Sequence, residues 1–211
     1  MLYVIAVVFL TRFTYKIMKK HGFEEMVAVY YNRKIIHIVA GGVVALLIPF
    51  LLNSWIYPFA MSLILTLFMV LWRLTGDRLD FMQMKENWNE TKFTLMWGLS
   101  IALLWILFND PFLAVIPSLF MAFGDAVTGF VRNALYKERT KSLVGNVFMF
   151  IVCIFIGYYF ASVARKPIPL WGILAAAVAS IVERFEIGPV DDNILITVST
   201  MIILIAGNLI G

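Results

Sequence analysis

Eight stretches of the chain are almost wholly apolar: residues 1–18, 35–52, 54–73, 93–109, 111–131, 145–163, 169–186 and 193–210. A helix crossing a bilayer needs about 20 mostly apolar residues, so the pattern predicts about eight transmembrane helices. None of the stretches alternates strictly between polar and apolar positions, which argues against a membrane β-barrel. The first stretch holds Arg12 and Lys16 within it. A secretory signal would put its basic residues before the apolar run and small residues after it, so a retained helix is expected here. Asn53-Ser54 and Asn109-Asp110-Pro111 separate neighbouring runs by very few residues. Each must therefore join an antiparallel pair, and both carry residue types that start helices. Trp55, Tyr57 and Trp171 fall near run ends, where amphipathic rings favour the headgroup layer.

Composition strengthens this reading. Of 211 residues, 62% are hydrophobic and 14% charged, and the mean hydropathy is +0.91. A soluble domain carries about 25% charged residues, and a chain this short could not bury so much apolar surface within itself. Cys153 is the single cysteine, which excludes an internal disulfide and any cysteine-rich metal site. The connections around residues 12–34, 73–92, 132–144 and 184–192 hold 15 of the 17 Lys and Arg residues. Basic loops remain on the cytoplasmic side, so these four connections are expected there, with both termini outside. The sequence thus predicts one all-α domain over residues 1–211, a polytopic bundle in a plasma or ER-type membrane. Membrane lipid is its expected surrounding partner; no nucleic-acid partner is expected, and a homodimer is left open.

Polar residues within or beside the runs form four clusters, all on the expected cytoplasmic side. An ionisable group at membrane depth costs roughly 2.5–3.5 kcal/mol on insertion scales and points to function by default. The first cluster is Asn32-Arg33-Lys34-Ile35-Ile36-His37. Arg33 and Lys34 stand four and three positions before His37, so the three share roughly one helical face and are candidates for holding phosphate oxygens. Snorkelling to headgroups would explain the two cations equally well, but not His37, one turn deeper.

The second cluster is Gly124-Asp125-Ala126-Val127-Thr128-Gly129, followed by Arg132. Asp125 lies roughly 10 Å inside the run's end at 1.5 Å per residue. A carboxylate there needs a cation, a metal or a proton, and an ion pair to Lys34 or Arg132 is one solution. The third cluster runs from Lys137-Glu138-Arg139 through Lys141-Ser142 to Gly145-Asn146. Ser142 is the expected cap of a helix whose free N–H groups attract anions, with Lys141 beside them. The fourth comprises Glu183, Arg184, Glu186, Gly188-Pro189 and Asp191-Asp192-Asn193. Adjacent carboxylates with an asparagine suit a hard divalent cation; as a plain helix turn, the segment would need only Asp192 or Asn193 as a cap. Four carboxylates and several cations on one face suit metal-assisted phosphoryl or nucleotidyl transfer.

Taken in order, Arg33-Lys34-x-x-His37, Gly124-Asp125-Ala126, Lys141-Ser142-x-x-Gly145 and Glu183 with Asp191-Asp192-Asn193 resemble the dolichol kinase and phytol kinase family. That family is related to the CTP:phosphatidate cytidylyltransferases. The resemblance spans residues 33–193. It implies phosphorylation of an isoprenoid alcohol with CTP as the nucleotide donor and Mg2+ or Mn2+ as cofactor. Carried over by motif, Asp125, Asp191, Asp192 and Asn193 would serve the metal. Lys141 would serve the phosphates; read from the residues themselves, Arg33, Lys34, Arg132, Ser142, Gly145 and Asn146 are further candidates for the nucleotide, and Asp125, His37 and Glu183 for the chemistry. Two departures stand out: Gly129-Phe130-Val131-Arg132-Asn133 replaces a second glycine-rich repeat, and Val144 replaces a glutamate.

Two other functions compete. A cytidylyltransferase would build a CDP-lipid from a lipid phosphate, with Arg132 as the added site for that anion. A small transporter would relay protons or a cation through Asp125 and His37, although its polar groups would be expected near the bilayer centre.

Overall fold

The computed structural model describes residues 1–75, 79–83, 88–136, 140–185, 188 and 190–211. Lys137, Glu138, Arg139, Glu186 and Pro189, named above, lie outside the described residues. Regular structure among the described residues is helical throughout. In chain order the helices are α1 (Leu2–Lys20), α2 (Glu25–Ile36), α3 (Val43–Leu51), α4 (Ile56–Leu74), α5 (Asn89–Phe108), α6 (Pro111–Leu119), α7 (Asp125–Tyr136), α8 (Leu143–Ser162), α9 (Pro169–Val182) and α10 (Asp192–Ile210). A π-helical turn, His37–Gly42, joins α2 to α3, and a second, Phe120–Gly124, joins α6 to α7. Each pair therefore forms one continuous rod.

Six rods are long and apolar enough to cross a membrane: Glu25–Leu51, Ile56–Leu74, Asn89–Phe108, Pro111–Tyr136, Leu143–Ser162 and Asp192–Ile210. All eight apolar stretches fall on helices, but α1 and α9 are not in this set. α9 is too short at 14 residues, and α1 carries Arg12, Lys16, Lys19 and Lys20. Two boundaries also shift. The second helix starts at Glu25 instead of residue 35, and the fifth runs on to Tyr136, because polar residues there are held inside the protein and do not end the helix.

The α6–α7 rod is the hub. It is the most enclosed of the span-length rods, and Leu113, Ile116, Leu119, Phe120 and Met121 are all fully buried. Around it pack α3, α5, α8 and α10, with α9 closing against α8 and α10. Helices approach closely where side chains are smallest: a Cβ on Gly157 of α8 would strike the backbone of Gly172 on α9, and the reverse holds. Without a hydrophobic driving force inside lipid, such close backbone approach is what holds helices together.

The short turn at 109–111 forms as its residues predict. Asn109 takes a left-handed conformation (φ 49°) that ends α5. Asp110 caps α6 by accepting from the N–H groups of Phe112 and Leu113, and Pro111 occupies the first helical position. The other Asp110 oxygen accepts from the Arg165 N–H, tying the α8–α9 connection to the same end. The buried charged residues gather at the opposite end.

Candidate functional site

At the far end of the hub, the second π-turn delivers Asp125 as the first residue of α7, and the first π-turn opens at His37. The two π-turns pack on each other. Single π-turns inside α-helices are rare and frequent at functional sites, because the extra residue re-aims side chains. Glycine makes the approach possible: a Cβ on Gly129 would sit 2.9 Å from Lys34 Cε, and one on Gly124 would meet Cys153 Sγ at 2.6 Å.

Asp125 is 2% exposed and accepts from Lys34 Nζ at 2.6 Å. His37 Nδ1 stands 3.8 Å from the same oxygen, beyond hydrogen-bond range, and has no other partner. The imidazole is held flat against Phe93 of α5, with ring centroids 3.8 Å apart and 12° between planes. Of the two ion pairs open to Asp125 from sequence, the Lys34 pair forms.

Arg132, two turns along α7, instead pairs with Glu183. Its two terminal nitrogens donate to the two carboxylate oxygens at 2.8 and 2.7 Å, a fork-to-fork pair. The second nitrogen also donates to Asn146 Oδ1, and Nε donates to the Ser142 carbonyl. Asn146 in turn donates to Glu183 Oε2 at 3.1 Å and to the Ser180 carbonyl. Gly145 must be glycine here, since a Cβ would run into the Arg132 guanidinium. Lys141 Nζ donates to the Glu183 carbonyl at 2.9 Å and to Asp192 Oδ2 at 3.0 Å, and stands 3.4 Å from Glu183 Oε1. Burial pulls the Lys141 amine down, but the Asp192 and Glu183 carboxylates outweigh it and hold the amine above the ordinary lysine range.

Asp125, Glu183 and Asp192 each offer an oxygen, all within 4.8 Å of one another. Three carboxylates thus alternate with Lys34, Arg132 and Lys141 in one partly enclosed cluster. The residues come from α2, α7, the α7–α8 and α9–α10 connections and the start of α10, so the four sequence clusters do converge in space.

Several expected roles change. Asp191 does not join the three carboxylates. It caps α10 by accepting from the Ile194 N–H and faces Lys92 of α5 at 3.6 Å. Its carboxyl is raised above the ordinary range by burial and by Asp192, against the Ile194 N–H and Lys92. Asp191, and not Asp192 or Asn193, is therefore the cap. Asn193 is buried, and its Oδ1 has no hydrogen-bond partner. Glu183, with no clear partner from sequence, is the most heavily paired carboxylate of the cluster. Ser142 occupies the position before α8, but its hydroxyl makes no capping bond. Ser142, Gly145 and Asn146 seat Arg132 in place of forming an open anion cradle.

Arg33 also departs from expectation. Adjacent helical positions differ by about 100°, so Arg33 and Lys34 cannot both face Asp125. Arg33 turns to Glu90 of α5, with Nε 3.5 Å from Oε1, and Arg73 of α4 lies 4.0 Å from Oε2. Glu90 escaped the sequence reading because it sits in a polar connection among other charges. The signal was its place in the first turn of α5, where acids are favourable, one turn before Phe93.

Arg33, His37 and Glu90 close one end of a cleft between α1, the α2–α3 rod, α4 and α5. It encloses about 760 Å³, its open mouth included, and its other walls are mostly apolar. His37 thus borders both the cleft and the ionic cluster. Comparison with family models, curated proteins and solved structures finds no match to this chain.

Proposed function

We propose that this protein phosphorylates a membrane-embedded isoprenoid alcohol, using CTP and a divalent metal, as the sequence resemblance to the dolichol and phytol kinases implies. The observation that carries the reading is the interleaved cluster: Asp125, Glu183 and Asp192 alternating with Lys34, Arg132 and Lys141, beside an apolar cleft. Phosphoryl transfer asks a protein mainly for position and charge neutralisation, and both signs of charge are in place.

The donor set fits Mg2+ or Mn2+, since it consists of carboxylate oxygens alone. Asp125, Glu183 and Asp192 would hold the ion, which when bound would neutralise phosphate charge. Lys141, partly exposed at the rim, is placed to exchange its carboxylate partners for phosphate oxygens. The alcohol oxygen would attack the γ-phosphorus, the bond to the β-bridging oxygen would break, and CDP would leave. His37 Nδ1, unpartnered, would take the hydroxyl proton. In this reading the chain crosses the membrane eight times, with α1 and α9 completing the set. The cluster would then face the cytoplasm, and both termini would lie outside.

The cytidylyltransferase reading needs a cation for the acceptor's own phosphate. Arg132, its candidate, is committed to Glu183, Asn146 and the Ser142 carbonyl, which favours a neutral acceptor. The test is transfer of label from CTP to geranylgeraniol or a longer polyprenol by the purified protein. Label from the γ position alone is expected; label from the α position alone would mean nucleotidyl transfer, and no label from either would overturn both.

A further inference from the structure

We infer that the cleft between α1, α2–α3, α4 and α5 holds the acceptor's single apolar chain, with Glu90 and Arg33 receiving its hydroxyl. This rests on the kinase reading for what happens next, but not for the binding itself.

The cleft exists because α4 stands apart. α4 packs on α5 and α1 packs on α2 and its π-turn, while α1 and α4 have little contact with each other among the described residues. In this proposal the acceptor enters from the bilayer through the gap between α1 and α4. Val8, Val44, Met61, Leu65 and Trp97 supply apolar wall. Met69 packs with Ile36, Phe81 and Met82 in one buried cluster that closes the cleft near its polar end. A chain entering from the bilayer keeps its apolar surface out of water throughout.

The polar end asks for a hydroxyl. Glu90 is 4% exposed and is held only at ion-pair distance, 3.5 Å from Arg33 Nε and 4.0 Å from Arg73, with no hydrogen bond to either carboxylate oxygen. Buried polar atoms that lack a hydrogen bond are costly in a native protein and leave room for an occupant that supplies one. A hydroxyl between them would donate to Glu90 and accept from Arg33, satisfying both, whereas a phosphate would meet the Glu90 carboxylate as a like charge. His37 lies on the same wall, with its Nδ1 3.8 Å from Asp125. The alcohol would then lie with its oxygen on the side of the cleft that borders Asp125, making Glu90 and Arg33 determinants of acceptor specificity.

The experiment uses the full chain in lipid nanodiscs with a diazirine-bearing geranylgeraniol analogue, cross-linked peptides being read by mass spectrometry. Label is expected on peptides carrying Met61, Leu65, Met69 or Phe93. It should be competed by geranylgeraniol and at least tenfold less well by geranylgeranyl phosphate. Glu90→Gln should weaken alcohol binding about tenfold while leaving nucleotide affinity unchanged, and Leu65→Trp, which fills the cleft, should remove the label. Label confined to other helices, or equal competition by the phosphate, overturns the inference. The labelling map needs only the unaltered protein, so a poorly folding variant does not spare the proposal. If the cleft is labelled but no phosphoryl transfer occurs, the kinase reading fails and this site stands. Transfer with label elsewhere gives the reverse.

Discussion

Asp125 is the side chain with the fewest alternatives. It is buried, follows directly on the second π-turn, and adjoins Lys34 and His37. Asp125→Asn should reduce turnover more than a hundredfold while the protein still inserts and folds, read as kcat beside a thermal melt. The Arg132–Glu183 pair separates stability from chemistry. Removing one partner strands a buried charge, so Arg132→Met should lower stability by about 3–5 kcal/mol. The double change Arg132→Met, Glu183→Leu should recover much of that by denaturant or thermal unfolding without restoring activity. Lys141 has a different signature. Because its amine is held above the ordinary lysine value, its pairing stabilises the fold fully below about pH 10.4 and is lost as pH rises through the higher folded value. Lys141→Ala should therefore cost stability at pH 8 and less at strongly alkaline pH. It should also raise the nucleotide KM severalfold. Asp125 and His37 were readable as candidates because ionisable groups at membrane depth have few uses, and Lys141 because it stands beside a helix start. Glu90 was not, because a glutamate in a polar connection looks solvated until the helix carrying it is seen to dip into the protein.

At the scale of elements, the deciding features are two π-turns and one glycine crossing. Apolar run length located the helices, and Asp110 and Pro111 located a start, since capping is a local interaction. The π-turns at His37–Gly42 and Phe120–Gly124 were invisible in the sequence: nothing in residue spacing distinguishes a π-turn from ordinary helix, and their cost is met by packing against each other. The α8–α9 crossing depends on Gly157 and Gly172 facing one another. Gly172→Val should separate the two backbones and draw Glu183, the residue that follows α9, away from Arg132. The expected result is a lowered melting temperature and lost activity together, with secondary structure by circular dichroism retained. Normal melting in this variant would show the contact to be incidental.

For the whole molecule, the central question is which side the ionic cluster faces. Cys153 is the only cysteine and fully buried, so engineered cysteines report cleanly. Ser54→Cys and Thr140→Cys, placed at opposite ends of the bundle, should react with membrane-impermeant thiol reagents from opposite sides, with residue 140 reached from the cytoplasm. Labelling of both from one side would overturn the proposed topology. The sequence by itself determined the helical class, the approximate runs, the shared end of the charged residues and the identity of most of the cluster. These follow from the cost of exposing backbone and charge to lipid, which acts on each segment separately. Only the tertiary structure decided which charges meet. Asp125 went to Lys34, Arg132 to Glu183, Arg33 to Glu90 and Asp191 to its own helix start, and α4 was left apart to open the cleft. Such choices depend on the rotation of each helix about its axis and on packing between residues far apart in sequence, which no local pattern encodes.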